Sequence, residues 1–442
     1  LKAVEAARED PMSDEKTIIA RVTWRLIPLL IVAYLIAYLD RVNVSFAAVK
    51  MNADLGLSAT AYGFGAGIFF IFYTIFEVPS NIILEKMGAR RWIARIMFTW
   101  GILSGAMAFV NSETSFYIVR ALLGVAEAGF FPGIVFYLSL WFPAQYRARI
   151  SSYFMIAIPL STVIGAPISG LILGLDGAFG FKGWQWLFII EALPAVILSL
   201  VVVYFLTDRP ADAKWLEPKQ RSWLQARLDA ERDADGGHHD SILSALKSPI
   251  VLALGLVCFG AVVTNYGVSF FLPQIIAGYG LSTIATGFVA ALPYVVGTVG
   301  MIWWGRRSDA RGERKIHTAI PIAVAALSLA VSTLLPDPVL KMLAISIAGF
   351  GMFAYLGPFW AIPSTFLRGP ALAAGIAAIN SIANIAGFAG PYIMGYLKAL
   401  TGSFEGGLIS IAVLGGVAIL ILFSLPIKRT SIGAEPRLSA AE

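Results

Sequence analysis

Charge is what this sequence has least of. Only 14% of its 442 residues are Asp, Glu, Lys or Arg and 58% are hydrophobic, where an ordinary soluble domain carries roughly 25% charge. That shortage excludes a water-soluble fold and leaves a polytopic membrane protein. Cysteine is nearly absent: Cys258 stands alone inside an apolar run, so no disulfide framework exists and a redox or metal role lacks ligands. Of the three histidines, His238 and His239 sit together in a polar stretch and read as solvated loop side chains. Metal-ligand His/Glu spacing and Ser/His arrangements are missing from the apolar runs, which argues against an intramembrane enzyme. No cofactor, metal or nucleic-acid partner is expected. The polar segment up to Arg21 does not read as a cleavable signal.

What is there is a succession of long apolar segments. They fall near 25–48, 61–84, 92–110, 116–141, 150–174, 186–206, 249–277, 284–304, 317–335, 339–363, 371–397 and 406–426. Each is close to the ~20 residues that cross a bilayer as a helix, so the reading is an all-α protein with twelve transmembrane helices. One long polar connection, Thr207 to Lys247, ends in Asp233-Ala-Asp-Gly-Gly-His-His-Asp240 and divides six spans from six. The expected organisation is therefore a first bundle over 1–206, a linker over 207–248 and a second bundle over 249–442. Within the linker, Lys219 to Arg232 has helical charge spacing and is expected to lie along the membrane surface.

With an even number of spans both termini share a side. All but six of the 33 basic residues lie on the side of the termini and linker. Four exceptions, Lys50, Lys182, Lys341 and Lys398, are in the opposite loops, and Arg41 and Arg120 are inside spans. By the positive-inside rule this places both termini in the cytoplasm of a cell (inner or plasma) membrane, and it accounts for the net charge of +6 without an acidic partner.

Two loops repeat each other. Asn81-Ile-Ile-Leu-Glu85-Lys-Met-Gly88-Ala-Arg90-Arg91 follows the second span, and Gly305-Arg-Arg-Ser-Asp309-Ala-Arg-Gly312-Glu-Arg314-Lys315 follows the eighth. An acid, a glycine three residues on and a basic pair recur at one relative position. Such loops can join helix ends through charge pairs that break and reform as two bundles rock. Plain positive-inside anchoring would not call for the acid.

The fourth span carries two full charges, Arg120 and Glu127. An ionisable side chain at bilayer depth costs on the order of 3 kcal/mol. Seven residues fall about 20° short of two helical turns, which puts both on one face, roughly 10 Å apart along the axis. That face must look into protein or water. Two readings stand: a salt-bridge relay that pins neighbouring helices, or an anion site beside a protonatable carboxylate. In the first span Tyr34, Tyr38 and Arg41 fall at i, i+4 and i+7 and form one polar stripe, while Asp40 is turned about 100° toward a neighbouring helix. Glu77 and Glu191, nearer span ends, read as structural or gating partners. The second half offers only neutral groups in its cavity-candidate helices: Asn265, Tyr266, Tyr294, Trp360, Ser364, Asn380 and Asn384. Any one of these serves equally for helix packing or substrate contact.

Twelve spans split by a linker, with the repeated acid-Gly-basic loop, resemble the major facilitator superfamily over nearly the whole chain. Tyr38-Leu-Asp40-Arg41-Val-Asn43, Pro79-Ser-Asn81 with Gly88-Ala-Arg90, Arg120 to Gly133, and Trp141-Phe-Pro143 more narrowly resemble the anion:cation symporter family. Glu127-Ala-Gly-Phe-Phe-Pro132-Gly is most similar to its tartrate, phthalate and hydroxyphenylacetate branch.

The resemblance implies two six-helix bundles and proton-coupled import of a small organic anion by alternating access. It implies proton coupling at Asp40 and Glu127, anion binding or its control at Arg41 and Arg120, cavity hydroxyls at Tyr38 and Tyr73, and a substrate-facing amide at Asn384. Glu85, Gly88, Arg90, Arg91, Asp309, Gly312, Arg314 and Lys315 would form the gating loops. The partners are then the anion, protons and the lipid bilayer, with a monomer as the expected unit. An exporter or antiporter would use the same carboxylates in the opposite direction, and an anion sensor would bind without carrying. In the fifth span Phe154-Met-Ile-Ala-Ile-Pro159-Leu160 has no amide where sugar-acid members of the family place one. A substrate with a ring or few hydroxyls is therefore expected.

Overall fold

The computed structural model describes residues 11–234, 245–367 and 369–427, and His238 and His239 lie outside them. Twelve helices among the described residues are long and apolar enough to cross a membrane. In order they are Glu15–Leu55, Ala59–Met87, Ala89–Phe109, Glu113–Ser139, Phe154–Leu173 and Gly183–Phe205, then Pro249–Ala277, Thr283–Arg311, Lys315–Leu334, Pro338–Thr365, Ala374–Thr401 and Glu405–Ser424. They are called spans 1 to 12 below. Short polar residues set several starts. Ser58, Ser282 and Asp337 accept from backbone N–H groups of Ala61, Ala285 and Leu340 at 3.0, 3.2 and 2.9 Å, and so satisfy donors that no helical carbonyl can reach. Between these ends, large apolar side chains such as Tyr204, Leu334, Val339 and Leu420 point outward. Such a surface is stable only in lipid.

The two halves pack by one scheme. Span 3 lies on span 6, span 2 on span 4, and span 1 on spans 5 and 6; span 9 lies on span 12, span 8 on span 10, and span 7 on spans 11 and 12. The same pairings thus recur in both halves, an internal repeat written in helix contacts. The bundles meet along spans 2 and 11, 5 and 8, and 1 and 7. Toward the end opposite the linker the seam is tight because its residues are small. A Cβ on Gly287 would lie 2.4 Å from the Ala166 carbonyl oxygen, and one on Gly63 would lie 2.4 Å from that of Pro391. Glycine there lets backbones touch, which helices in lipid use in place of a hydrophobic drive. Tyr62 donates to the Phe270 carbonyl at 2.8 Å and Asn52 to Gln274 at 3.4 Å, closing the same end.

The linker is fastened to the first bundle. Its helix, Pro218–Ala234, covers the charge-spaced stretch read from the sequence. Glu231 accepts from Ala144 N–H and Arg147 at 3.0 and 3.4 Å, Arg21 donates to Gln220 at 2.9 Å, and Trp215 stacks on Trp141 with centroids 5.5 Å apart. The two repeated loops differ in their partners. Arg90 N–H donates to Asp208 of the linker at 2.8 Å, beside the turn at Gly88, while Glu85 and Arg91 are exposed. In the second loop Asp309 pairs with Arg314 of the same loop at 2.6 Å, next to Gly312. Lys315 donates to the Phe423 and Leu425 carbonyls at 2.8 and 2.6 Å, holding the end of span 12.

Candidate functional site

The site is built around a break in span 4. Its first helix runs Glu113–Glu127 and its second Phe130–Ser139. Between them Gly129 has φ +83°, a conformation that a Cβ disfavours. A Cβ there would also lie 2.5 Å from the Ser80 hydroxyl oxygen. The break makes Glu127 the last residue of a half-helix at the middle of the span, the placement by which broken helices hold ligands in transporters.

Glu127 accepts an ion-paired hydrogen bond from Arg41 Nη2. The Arg41 guanidinium also lies 3.5 Å from the Tyr266 hydroxyl, which meets the Tyr38 hydroxyl at 3.2 Å across the two bundles. Rings of Tyr38, Tyr73, Phe69 and Phe70 surround it with centroids 5.0, 5.2, 5.3 and 5.9 Å away. Each offers a cation the negative face of a π system. The Arg41 side chain is 11% exposed and that of Glu127 1%, so the arginine is the member of the pair that an entering ligand can touch. Tyr34 stacks on Phe131 at 5.3 Å and tilts against Phe154 at 6.3 Å, adding an apolar wall.

Arg120 stands elsewhere. It is buried and donates to the Gly65 and Ala66 carbonyls of span 2 at 3.3 and 2.9 Å. Each helical carbonyl keeps a second lone pair that can accept such a bond, so the Nε and Nη2 donors of Arg120 are taken up by span 2, and the guanidinium lies 5.0 Å from the centroid of the Phe69 ring. Asp40 is also buried and faces span 3. It accepts from Trp100 Nε1 at 2.8 Å, Ser104 Oγ at 3.0 Å and Asn43 Nδ2 at 3.4 Å. Its one-residue offset from Arg41 sends the two side chains of one helix to different neighbours. Glu191 on span 6 accepts from Ser169 at 2.7 Å within the same bundle.

Across the seam, Asn384 and Asn380 of span 11 donate to the two oxygens of Glu77 on span 2 at 3.1 and 3.5 Å. Tyr294 donates to Ser269 at 2.7 Å, and that hydroxyl reaches Asn265 at 3.4 Å inside the second bundle. Trp360 packs on Phe359 at 5.3 Å, and Ser364 is exposed and bonds back to Ala361 at 2.8 Å. The structure therefore gathers Tyr34, Tyr38, Arg41, Tyr73, Glu127 and Tyr266 around one point. Asn380 and Asn384 lie opposite on the second bundle, and Trp360 and Ser364 are not part of the group. Phe69 and Phe70 join it although nothing in the sequence singles them out, since two phenylalanines in an apolar run carry no signal.

The sequence matches the Major Facilitator Superfamily over residues 30–391. A relative from Agrobacterium vitis named for tartrate transport is 49% identical over 94% of this chain and 92% of its own. The quinolone resistance transporter of Acinetobacter baumannii is 41% identical over 95% of this chain and 97% of its own. Among solved structures, a bacterial homologue of the human lysosomal transporter Spinster superimposes with a TM-score of 0.74 at 15% identity, covering 90% of this chain and 96% of that one. The relatives are transporters, not enzymes, and the residues that carry the resemblance lie in the matched range. The chain belongs to the Major Facilitator Superfamily.

Proposed function

We propose that this protein is a proton-coupled importer of small organic anions, carboxylates above all, working by alternating access of its two bundles. The observation that supports this most is the Arg41–Glu127 pair, an arginine facing the space between bundles and held by a carboxylate. A substrate carboxylate can take the guanidinium only if Glu127 releases it. An unpaired buried carboxylate costs several kcal/mol, so Glu127 leaves as the neutral acid, and anion and proton move together. Asp40 is the second proton position, cradled apart from the anion by Trp100 and Ser104. Arg120 acts on the anion indirectly, by fixing span 4 against span 2. The aromatic wall of Tyr34, Phe131 and Phe154 favours a substrate with a ring or few hydroxyls, because each unpaired hydroxyl in a closed site costs about 1–3 kcal/mol.

The termini and linker are assigned to the cytoplasm by the basic asymmetry, in the cell membrane of a bacterial-type cell. The seam glycines then close the outer end, and this conformation faces inward. The relative named for tartrate transport supports the anion reading, and the one named for quinolone resistance supports export as the second.

The test uses purified protein in sealed liposomes with imposed pH gradients. Acid-outside gradients should drive accumulation of tartrate or phthalate above its external concentration. Accumulation only when the gradient is reversed would replace import by antiport. Failure of any carboxylate on a broad panel to exchange or to raise the melting temperature would remove the anion reading.

A further inference from the structure

Glu77 is a carboxylate in a place where an anion is meant to bind. It sits one turn from Tyr73 on span 2, and Tyr73 puts its ring 5.2 Å from the Arg41 guanidinium. The Glu77 carboxylate therefore borders the same space. Both of its oxygens are held by amides of the other bundle, Oε2 by Asn384 at 3.1 Å and Oε1 by Asn380 at 3.5 Å. These asparagines are one helical turn apart and present their N–H groups side by side, which is how two neutral donors receive the two oxygens of one carboxylate.

We infer that Asn380 and Asn384 form a second carboxylate subsite, that Glu77 fills it in the empty protein, and that the substrate class is a dicarboxylate. This rests on the reading of Arg41 as the first anion site. In the empty state two protein carboxylates are satisfied separately, Glu127 on the arginine of the first bundle and Glu77 on the amides of the second. A small dicarboxylate replaces both, one end on Arg41 and the other on the amides, so that a single molecule spans the two bundles. Glu77 must then withdraw from the amides, and since a buried carboxylate left without partners is costly it does so as the neutral acid; it competes only with a ligand that has a second carboxylate. A monocarboxylate can satisfy Arg41 and leave Glu77 where it is. Glu77 is thus a specificity-determining residue, and a plain latch between bundles would not distinguish the two classes of acid.

The experiment measures affinities of purified wild-type, Glu77→Ala, Glu77→Gln and Asn384→Leu proteins at one fixed pH. The probes are tartrate against lactate and phthalate against benzoate, and folding is checked by size-exclusion profile. The readout is the ratio of dicarboxylate to monocarboxylate affinity. It should exceed one in the wild type, rise about tenfold in Glu77→Ala, where a competitor is gone, and fall about tenfold in Asn384→Leu, the effect of roughly one exchanged hydrogen bond. Glu77→Gln should move it in the same direction as Glu77→Ala by a smaller factor. A ratio near one in the wild type, or a ratio that stays constant while both affinities change together in the variants, would overturn the subsite and leave the anion reading intact. Binding of none of the four acids by the wild type would defeat both.

Discussion

At Arg41 a single guanidinium meets a carboxylate, a phenol and four aromatic faces, and its planarity is what lets it do so. An ammonium keeps the charge but loses the two-pronged geometry and the stacking. Arg41→Lys should therefore weaken carboxylate binding about 10- to 100-fold, the loss of one charge-assisted hydrogen bond worth roughly 1.5–3 kcal/mol. Titration of the purified variant with tartrate checks this, and unchanged affinity would take Arg41 out of the site. Arg120→Lys should behave differently. It should lower the melting temperature, because the bonds to the Gly65 and Ala66 carbonyls hold spans 2 and 4 together, while costing less affinity than the Arg41 change.

Which arginine holds Glu127 is not legible in the sequence. Arg120 shares a helix face with Glu127 but stands about 10 Å from it along the axis, whereas the pair that forms joins two spans 86 positions apart. Periodicity fixes directions around one helix and says nothing of which helix lies opposite. The same limit hides the role of Glu77: the charge is visible, but the amides that receive it belong to the other half of the chain.

Among the elements, the spans are readable to within a few residues over most of their ends, because apolar runs long enough for a bilayer have few other uses. Span 1 is longer than its apolar core, since its helix continues into the polar segment before Trp24 and runs on to Leu55. The break in span 4 does not show in the sequence. Gly129 falls within a recognisable motif, yet a glycine in a membrane helix signals close packing as often as it signals a change of direction. The seam offers a direct test of element packing. Gly287→Leu forces a side chain into the Ala166 backbone, and overpacking of this kind costs about 1–3 kcal/mol. The closed end opposite the linker, proposed to face outward, should open in about a tenfold larger fraction of molecules or more. A thiol at position 265, in a Cys258→Ala background, should be labelled faster from outside when Gly287→Leu is added; an unchanged rate would show that the seam yields without opening.

The loop before span 9 gives a pH-dependent prediction outside the membrane. Burial pushes the Glu313 carboxyl up, but hydrogen bonds from the Ile316 and His317 N–H groups at 2.7 and 3.0 Å and from the His317 ring at 2.7 Å outweigh it. The net position is below the usual glutamate range. A depressed folded value stabilises above the unfolded pKa of about 4.3 and is lost as pH falls through the folded one. Glu313→Gln should thus melt earlier than wild type at neutral pH, with the gap shrinking in acid. A gap independent of pH would assign it to shape alone.

For the whole molecule, the two-bundle architecture is legible because the chain repeats itself, in its loops and in the order of its spans, and the same helix pairings recur in both halves. Sidedness rests on the basic residues. A single cysteine at Ser222, exposed on the linker helix, should be protected from impermeant reagents in intact cells and react once the membrane is opened; labelling from outside would reverse the orientation and with it the inward-facing assignment.

The central claim is that Glu127 surrenders Arg41 to the substrate by taking a proton. Glu127→Gln fixes the neutral form. Exchange of labelled for unlabelled substrate at equal concentrations needs no net proton movement, whereas uphill uptake needs a proton whose binding differs between the two conformations. The most direct measurement is tartrate or phthalate counterflow and pH-driven uptake in the same liposomes, for wild type and Glu127→Gln. The account predicts that the variant retains counterflow and loses accumulation against a gradient. A Glu127→Gln protein that still concentrates substrate under an imposed pH gradient would contradict it.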